Sequence, residues 1–339
     1  MANIQFRSAR ATIAVTLAML VAIAASAPAV VADSTPGPPL IVNLAEFGTG
    51  MGPWCVYAAQ DENFFTQAGI RLGEVISITG DPNIVSALIS GTSDIALGSA
   101  GTIVPLANGQ TDQLVVVAAS EDAPVSLIAP SSITSPSQLI GKTIALSQNN
   151  GSNALIGTAL INEYVGKGKW TPLYVGGSVG PRLAEMVAGK ASAAYINDPA
   201  DIQSLGDYHV LTRFGSRLRF FNGPVMTTRN WLNKNPDAAV RFLRAFARGC
   251  NYINDPKNRQ SAIRMLAKYT PIREAVAAET YDYYVGGPNR GHNPPRNAQI
   301  DLQGFANTVD VLKAAGIITN QSFDYHTAID SSFLERATK

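Results

Sequence analysis

The chain has 339 residues, 46% hydrophobic and 15% charged, the balance of a globular protein long enough for two domains. Its formal charge is +1, and without Arg7 and Arg10 it holds 24 bases against 25 acids, which argues against nucleic acid as a partner because a phosphate-tracking surface needs a basic excess. Three scattered histidines and two distant cysteines lack metal-ligand spacing, and neither a Gly-x-Ser-x-Gly elbow nor a phosphate loop occurs, so no metal, no cofactor and no catalytic residue is expected.

Residues 1–32 read as a secretory signal, with Arg7 and Arg10 as the charged region and Ala11–Ala25 as an apolar stretch short for a membrane span. Val30-Val31-Ala32 supplies small residues for cleavage, so the mature chain is expected to begin at Asp33. Ala25-Ser26-Ala27, followed by Pro28, is a second candidate, and the expected location is the periplasm. A first strand is predicted at Leu40–Leu44, a glycine-rich loop at Phe47–Pro53 and a helix over Trp54–Gln67 that Asn63 or Gly69 can close. Alternation predicts a strand at Ile70–Ile78. Asp81-Pro82 reads as N-cap and first helical residue of Pro82–Ser90, with Gly91 after it, then strand Asp94–Gly98 and helix Ser99–Asn108.

Two β-rich runs, Leu114–Ser120 and Val125–Pro130, come next, and a crossing between lobes is placed there. A helical turn at Ser137–Leu139, strand Thr143–Ser147, helix Ser152–Val165, strand Leu173–Val175, helix Arg182–Ala188 and strand Ala193–Ile196 are expected in turn. Asp198-Pro199 reads as another N-cap with proline, His209–Arg213 as a strand, and Phe220–Thr227 as the return crossing. From Asn230 the pattern is helical, with Phe242, Leu243, Phe246 and Ile253 as a buried stripe and tail helices near Arg273–Val285 and Gln299–Ala314. Cys55 and Cys250 could pair in an exported protein, but two buried thiols on helices are the expectation.

One pattern occurs twice. Thr79–Leu97 and Gly177–Tyr195 each read as tight turn, amphipathic helix, glycine (Gly91, Gly189) and small-residue strand. Strands alternating with helices argue for an α/β fold with mostly parallel sheets, and in such sheets ligands bind at the carboxyl edge. The edge segments are then Glu46–Trp54, Thr79–Pro82, Gly98–Thr102, Ser147–Asn153, Gly177–Arg182 and Asn197–Pro199.

These segments carry a resemblance. Ala87-Leu88-Ile89-Ser90-Gly91-Thr92-Ser93-Asp94, Ile133–Ile144 and Met186-Val187-Ala188-Gly189-Lys190-Ala191-Ser192-Ala193 resemble motifs of the solute-binding proteins of ABC importers, in the sulfonate/nitrate/taurine and thiamine-precursor (NMT1-like) group. Asn63-Phe64-Phe65 is similar to that family's Gly-aromatic-Phe, while Ser192 departs from its Asp. The resemblance implies a two-lobed periplasmic binding protein of type II with two inter-lobe crossings. Lobe 1 would be residues 40–124 plus 223–339 and lobe 2 residues 125–222. It further implies a monomer that closes on a small organic anion or related nitrogenous solute and delivers it to a permease in the inner membrane. A pyrimidine-synthase-like enzyme on the same fold and a periplasmic ligand sensor are the alternatives.

With the turns so placed, Asn149, Asn150 and Ser152 offer a helix N-terminus to an anion, and Gly80, Ser99 and Ala100 form small-residue turns in the first lobe. Phe47, Met51 and Trp54 read as an apolar cleft wall, with core packing as the rival for Trp54. Glu46 could meet a ligand ammonium or stand solvated at a strand end, and Asn197 can donate and accept. Asp198 reads first as an N-cap and then as a ligand contact, and Arg182 as exposed or as a bidentate anion clamp.

Overall fold

The computed structural model describes residues 39–339 apart from 48–49, 79, 123, 150, 178, 201–205, 215–218 and 288–292. The expected signal and its cleavage site lie outside the described residues. In chain order the strands are β1 (Leu40–Phe47), β2 (Ile70–Ile78), β3 (Ile95–Leu97), β4 (Leu114–Asp122), β5 (Val125–Pro130), β6 (Thr143–Leu146), β7 (Thr171–Tyr174), β8 (Ala193–Asn197), β9 (Tyr208–Arg213) and β10 (Phe221–Thr228). The α-helices are α1 (Trp54–Asp61), α2 (Phe64–Gln67), α3 (Asp81–Ser90), α4 (Val104–Ala107), α5 (Ser152–Val165), α6 (Val179–Val187), α7 (Arg229–Lys234), α8 (Pro236–Asn254), α9 (Arg259–Tyr269), α10 (Glu274–Tyr284), α11 (Leu302–Ala314) and α12 (Ser332–Thr338). The single helix expected over residues 54–67 is broken by Asn63, whose left-handed φ of 58° starts α2 afresh.

Two five-stranded sheets result, ordered β2-β1-β3-β10-β4 and β7-β6-β8-β5-β9. Both are mixed rather than mostly parallel. β1 pairs in parallel with β2 and β3, and β6 with β7 and β8, whereas β10 runs against β3 and β4, and β5 against β8 and β9. Connectivity explains the reversal. β4 leaves the first sheet at its carboxyl edge and two residues later the chain enters the second sheet as β5, running away from that sheet's carboxyl edge. β9 and β10 make the return journey in the same way. A link of two residues lets the strand ends stand at most about 10 Å apart, so the two carboxyl edges face each other.

The first sheet is backed by the C-terminal helices. Cys55 of α1 and Cys250 of α8 form a disulfide with a Cα separation of 4.6 Å, where free thiols were expected. Gly249 makes the approach of these helices feasible, since a Cβ there would stand 2.1 Å from the Cys55 carbonyl oxygen. Around the bridge, Trp54 donates its indole N–H to the Ala262 carbonyl at 3.2 Å and Tyr57 stacks on Tyr269 at 4.3 Å between centroids. In the second sheet the two faces are covered separately. Ile156, Leu160 and Ile161 of α5 pack with Ile144, Leu146 and Tyr195, while Leu183 and Met186 of α6 pack with Ala145, Ala194 and Ile196. That alternation along β6 and β8 fixes which face each edge residue serves.

The bridge closes a loop of 195 residues. Replacing both cysteines by alanine is therefore expected to lower the unfolding free energy by about 2–5 kcal/mol in a urea titration.

Candidate functional site

At the carboxyl edge of the first sheet β1 delivers Glu46, level with Ser77 of β2 and Leu97 of β3. Gly80, at φ 91°, precedes α3, so Asp81 is the first helical residue rather than its cap. Its carboxylate is turned across the gap instead. Asp81 accepts hydrogen bonds from Ser99 Oγ at 2.5 Å and from Ser152 Oγ, at the start of α5, at 3.4 Å. The Ser99 and Ser152 hydroxyls are 3.3 Å apart. Gly101 leaves room for this meeting, because a Cβ there would fall 1.9 Å from Asp81 Oδ2. Glu121, near the end of β4 and opposite Gly223, takes a hydrogen bond from Asn222, whose Oδ1 in turn accepts the Ala100 N–H at 3.5 Å.

The second edge presents the start of α5, the residues after β6 and β8, and the first turns of α6. Asn153 donates to Asn197 Oδ1 at 2.7 Å and accepts from the Tyr195 hydroxyl at 3.2 Å. Asp198, joined to Pro199 by a cis peptide, is buried. It accepts from Ser126 Oγ at 2.6 Å and from the Tyr284 hydroxyl of α10, which the first half of the fold contributes. A helix after Pro199 lies outside the described residues. A second tie runs from Arg213 Nη2 of β9 to Glu279 Oε1 of α10 at 2.6 Å.

Arg182, expected as exposed or as an anion clamp, is only 2% exposed, and its Nε and Nη1 have no hydrogen-bond partner. Ser147, the residue after β6, also has a buried hydroxyl without a partner. By alternation from Ala145, Ser147 faces the same side of the sheet as α6, which carries Arg182.

Charge divides unevenly between the edges. Burial pushes the Glu46 carboxyl up to about 7. Burial lifts Glu121 to about 8, opposed by the Asn222 hydrogen bond and aided by repulsion from Asp122. Asp81 is raised by burial against the pull of Ser99 and Ser152. Among the described residues no lysine or arginine charge contributes to any of the three. Burial lowers the Arg182 pKa.

Of the other expected contacts, Trp54 and Met51 sit in the first-half core at 0% and 2% exposure, with the Trp54 indole satisfied by Ala262. They are packing residues and not a cleft wall. Ala100 is buried among second-half residues such as Leu127 and Ile156, and Asn149 is exposed. The Phe47 side chain and Asn150 lie outside the described residues. Asp81 as a cross-edge acceptor, Glu121, Asn222 and Ser147 as an orphan hydroxyl escaped the sequence reading. Asp81 and Ser147 left a signal there, since both stand in predicted edge segments. A cavity of about 310 Å³ lined by Ala59, Asn63, Phe65, Ile70 and Leu72 lies beside α1, α2 and β2 and includes none of the edge residues.

The family model described as NMT1/THI5 like matches residues 54–259. The fold is similar to the ligand-binding component of an ABC-type import system from Staphylococcus aureus, solved with zinc bound (TM-score 0.69, 12% identity, covering 88% of this chain and 99% of that one). It is also similar to the periplasmic aliphatic sulphonate binding protein SsuA from Escherichia coli (TM-score 0.67, 17% identity, 88% and 99%). The desulfurization enzyme DSZB shares the fold as well (TM-score 0.62, 11% identity, 88% and 99%). A comparison with curated proteins finds no match.

Glu46 and Glu121 bind their protons more tightly folded than unfolded, where both titrate near 4.5. The native state therefore holds more protons between 4.5 and about 8, and stability falls as pH rises through that window. The melting temperature of the ligand-free protein is expected to be higher at about pH 5 than at about pH 8.5, with a shallower slope in Glu121→Gln.

Proposed function

The chain belongs to the NMT1/THI5-like family, and on that premise we propose that it is an extracytoplasmic solute-binding protein of an ABC importer. It captures a small organic anion or related nitrogenous solute between the facing carboxyl edges and delivers it to a membrane permease. The observation that carries this reading is the meeting of the two edges through Asp81, Ser99 and Ser152, at the turns where open α/β sheets bind ligands. Ligand entry requires those contacts and the Asp198–Tyr284 and Arg213–Glu279 ties to part, and closure remakes them. The start of α5, with Ser152 and Asn153, offers backbone amides to an anionic group. Ser99, Ala100, Gly80, Asn197 and Glu46 complete the proposed contact set.

An enzyme is the second reading, favoured by the likeness to a desulfurization enzyme. Against it, the only two cysteines of the sequence are joined to each other, which leaves no thiol for a cysteine nucleophile or an iron–thiolate motif. Among the described residues no helix is long and apolar enough to cross a membrane, which fits delivery to a separate permease.

Thermal unfolding against a panel of sulfonates, nitrate, carboxylates and aminopyrimidines tests the proposal. A solute held at about 100 times its Kd adds about 2.7 kcal/mol to stability, a rise of several degrees. A folded protein that no member of the panel stabilises, and that releases no solute on denaturation, would overturn it.

A further inference from the structure

Asn197 ends β8 at the carboxyl edge of the second sheet, and an amide there can meet a solute with its accepting oxygen or with its donating nitrogen. Neighbouring contacts decide between the two. Tyr195 stands two residues back on the same strand, hence on the same face, and packs with the α5 residues Ile156 and Leu160. α5 lies this close because Gly157 has no side chain. A Cβ there would stand 2.9 Å from Tyr195 Cε1 and 3.0 Å from Leu146 Cδ2. The approach brings the Tyr195 hydroxyl within 3.2 Å of Asn153, which lies in the first turn of α5, one turn before Gly157. Asn153 in turn stands 2.7 Å from Asn197.

Polarity runs through this relay in one direction. The Tyr195 side chain is fully buried, so its phenol O–H needs an acceptor, and Asn153 Oδ1 is that acceptor. With its oxygen engaged, Asn153 offers Asn197 its Nδ2. Asn197 receives that N–H on Oδ1, and its own Nδ2, bonded to the same carbon, is turned away from Asn153 at the half-buried strand end. Were the phenol to accept from Asn153 instead, both amides would turn over and Asn197 would present an oxygen.

Resting on the solute-binding reading above, we propose that Tyr195 is a positioning residue that acts through Asn153 to hold the Asn197 amide with its N–H groups toward the gap. This corner of the site then reads hydrogen-bond acceptors of the solute and rejects donors. Asn197 touches the solute, Asn153 transmits the orientation, and Gly157 is the packing condition that lets the phenol reach. The backbone N–H groups at the start of α5 have the same donor sense, so the two elements act on one acceptor group together.

Neutron diffraction from the deuterated, ligand-free full chain tests the orientation without any solute. Deuterons are expected on Asn153 Nδ2 toward Asn197 and on the outward atom of Asn197. Nuclear density showing oxygen as that outward atom would overturn the inference. Side-chain amide NMR gives a second readout. Tyr195→Phe keeps the ring and its packing, so the melting temperature should change little while the Asn153 and Asn197 amide signals shift. Amide signals that stay in place would remove Tyr195 from the relay. Calorimetry with propanesulfonate, whose oxygens only accept, reads the consequence. Tyr195→Phe should weaken it about fivefold to tenfold. Asn197→Asp still accepts from Asn153 but presents an oxygen to the gap, and should weaken it about tenfold or more. Propanesulfonate held by Asn197→Asp as tightly as by the unaltered chain would overturn the donor assignment and leave the solute-binding function standing. Deuterons where expected, with no binding by propanesulfonate or by any member of the panel above, would overturn the solute-binding function and leave the amide orientation standing.

Discussion

Shutting the Arg182 guanidinium away from water with its Nε and Nη1 unpaired works against folding. The chain nevertheless places it there because α6 has no freedom to do otherwise. Leu183 and Met186 must lie on Ala145, Ala194 and Ile196, and the crossover from β7 to β8 sets the helix start at the carboxyl edge. Apolar burial along one helix face thus holds a charged residue where its own hydration would not put it. Glu46 and Glu121 are in the same position on the opposite edge, held by strands whose registers are fixed by pairs such as Glu46 with Leu97 and Glu121 with Gly223.

Such a site needs a frame that does not relax around it. In the first half the frame is the α1–α8 contact, where the disulfide, the close approach at Gly249 and the Tyr57–Tyr269 stack leave the helices no slack. In the second half the frame is the pair of helices gripping opposite faces of one sheet. What remains adjustable is the set of polar contacts between the halves, hydrogen bonds and an Arg–Glu pair, which exchange with water at modest cost.

Much of this frame was legible in the sequence because it is encoded locally. The two turn–helix–glycine–strand units became α3 with β3 and α6 with β8, and Gly91 and Gly189 both take φ of 76°. Edge turns followed from the alternation of strand and helix. What was not legible depends on partners far along the chain. Cys55 and Cys250 are 195 residues apart and their pairing is a matter of helix packing. The crossings were placed from the sequence, but the reversed sense of β5 and β10 was not, because strand direction is set by partners far along the chain. Glu121 stands just past the predicted strand Leu114–Ser120, and only the fold brings Asn222 and Gly52 against it, while Trp54 lost its place beside the ligand because Ala262 satisfied its indole.

The distribution of edge charge also bears on closure. With the halves apart, water solvates Glu46, Asp81 and Arg182, and their mutual attraction is screened over about 8–10 Å. Bringing the edges together strips that water, so closure on an empty gap strands charges on both sides and is opposed by desolvation. A guest that hydrogen-bonds these groups offsets that desolvation. The free energy of closing therefore depends on what is enclosed, and a clamp whose closed state differs in affinity for its guest is the minimum a ligand needs to shift its population.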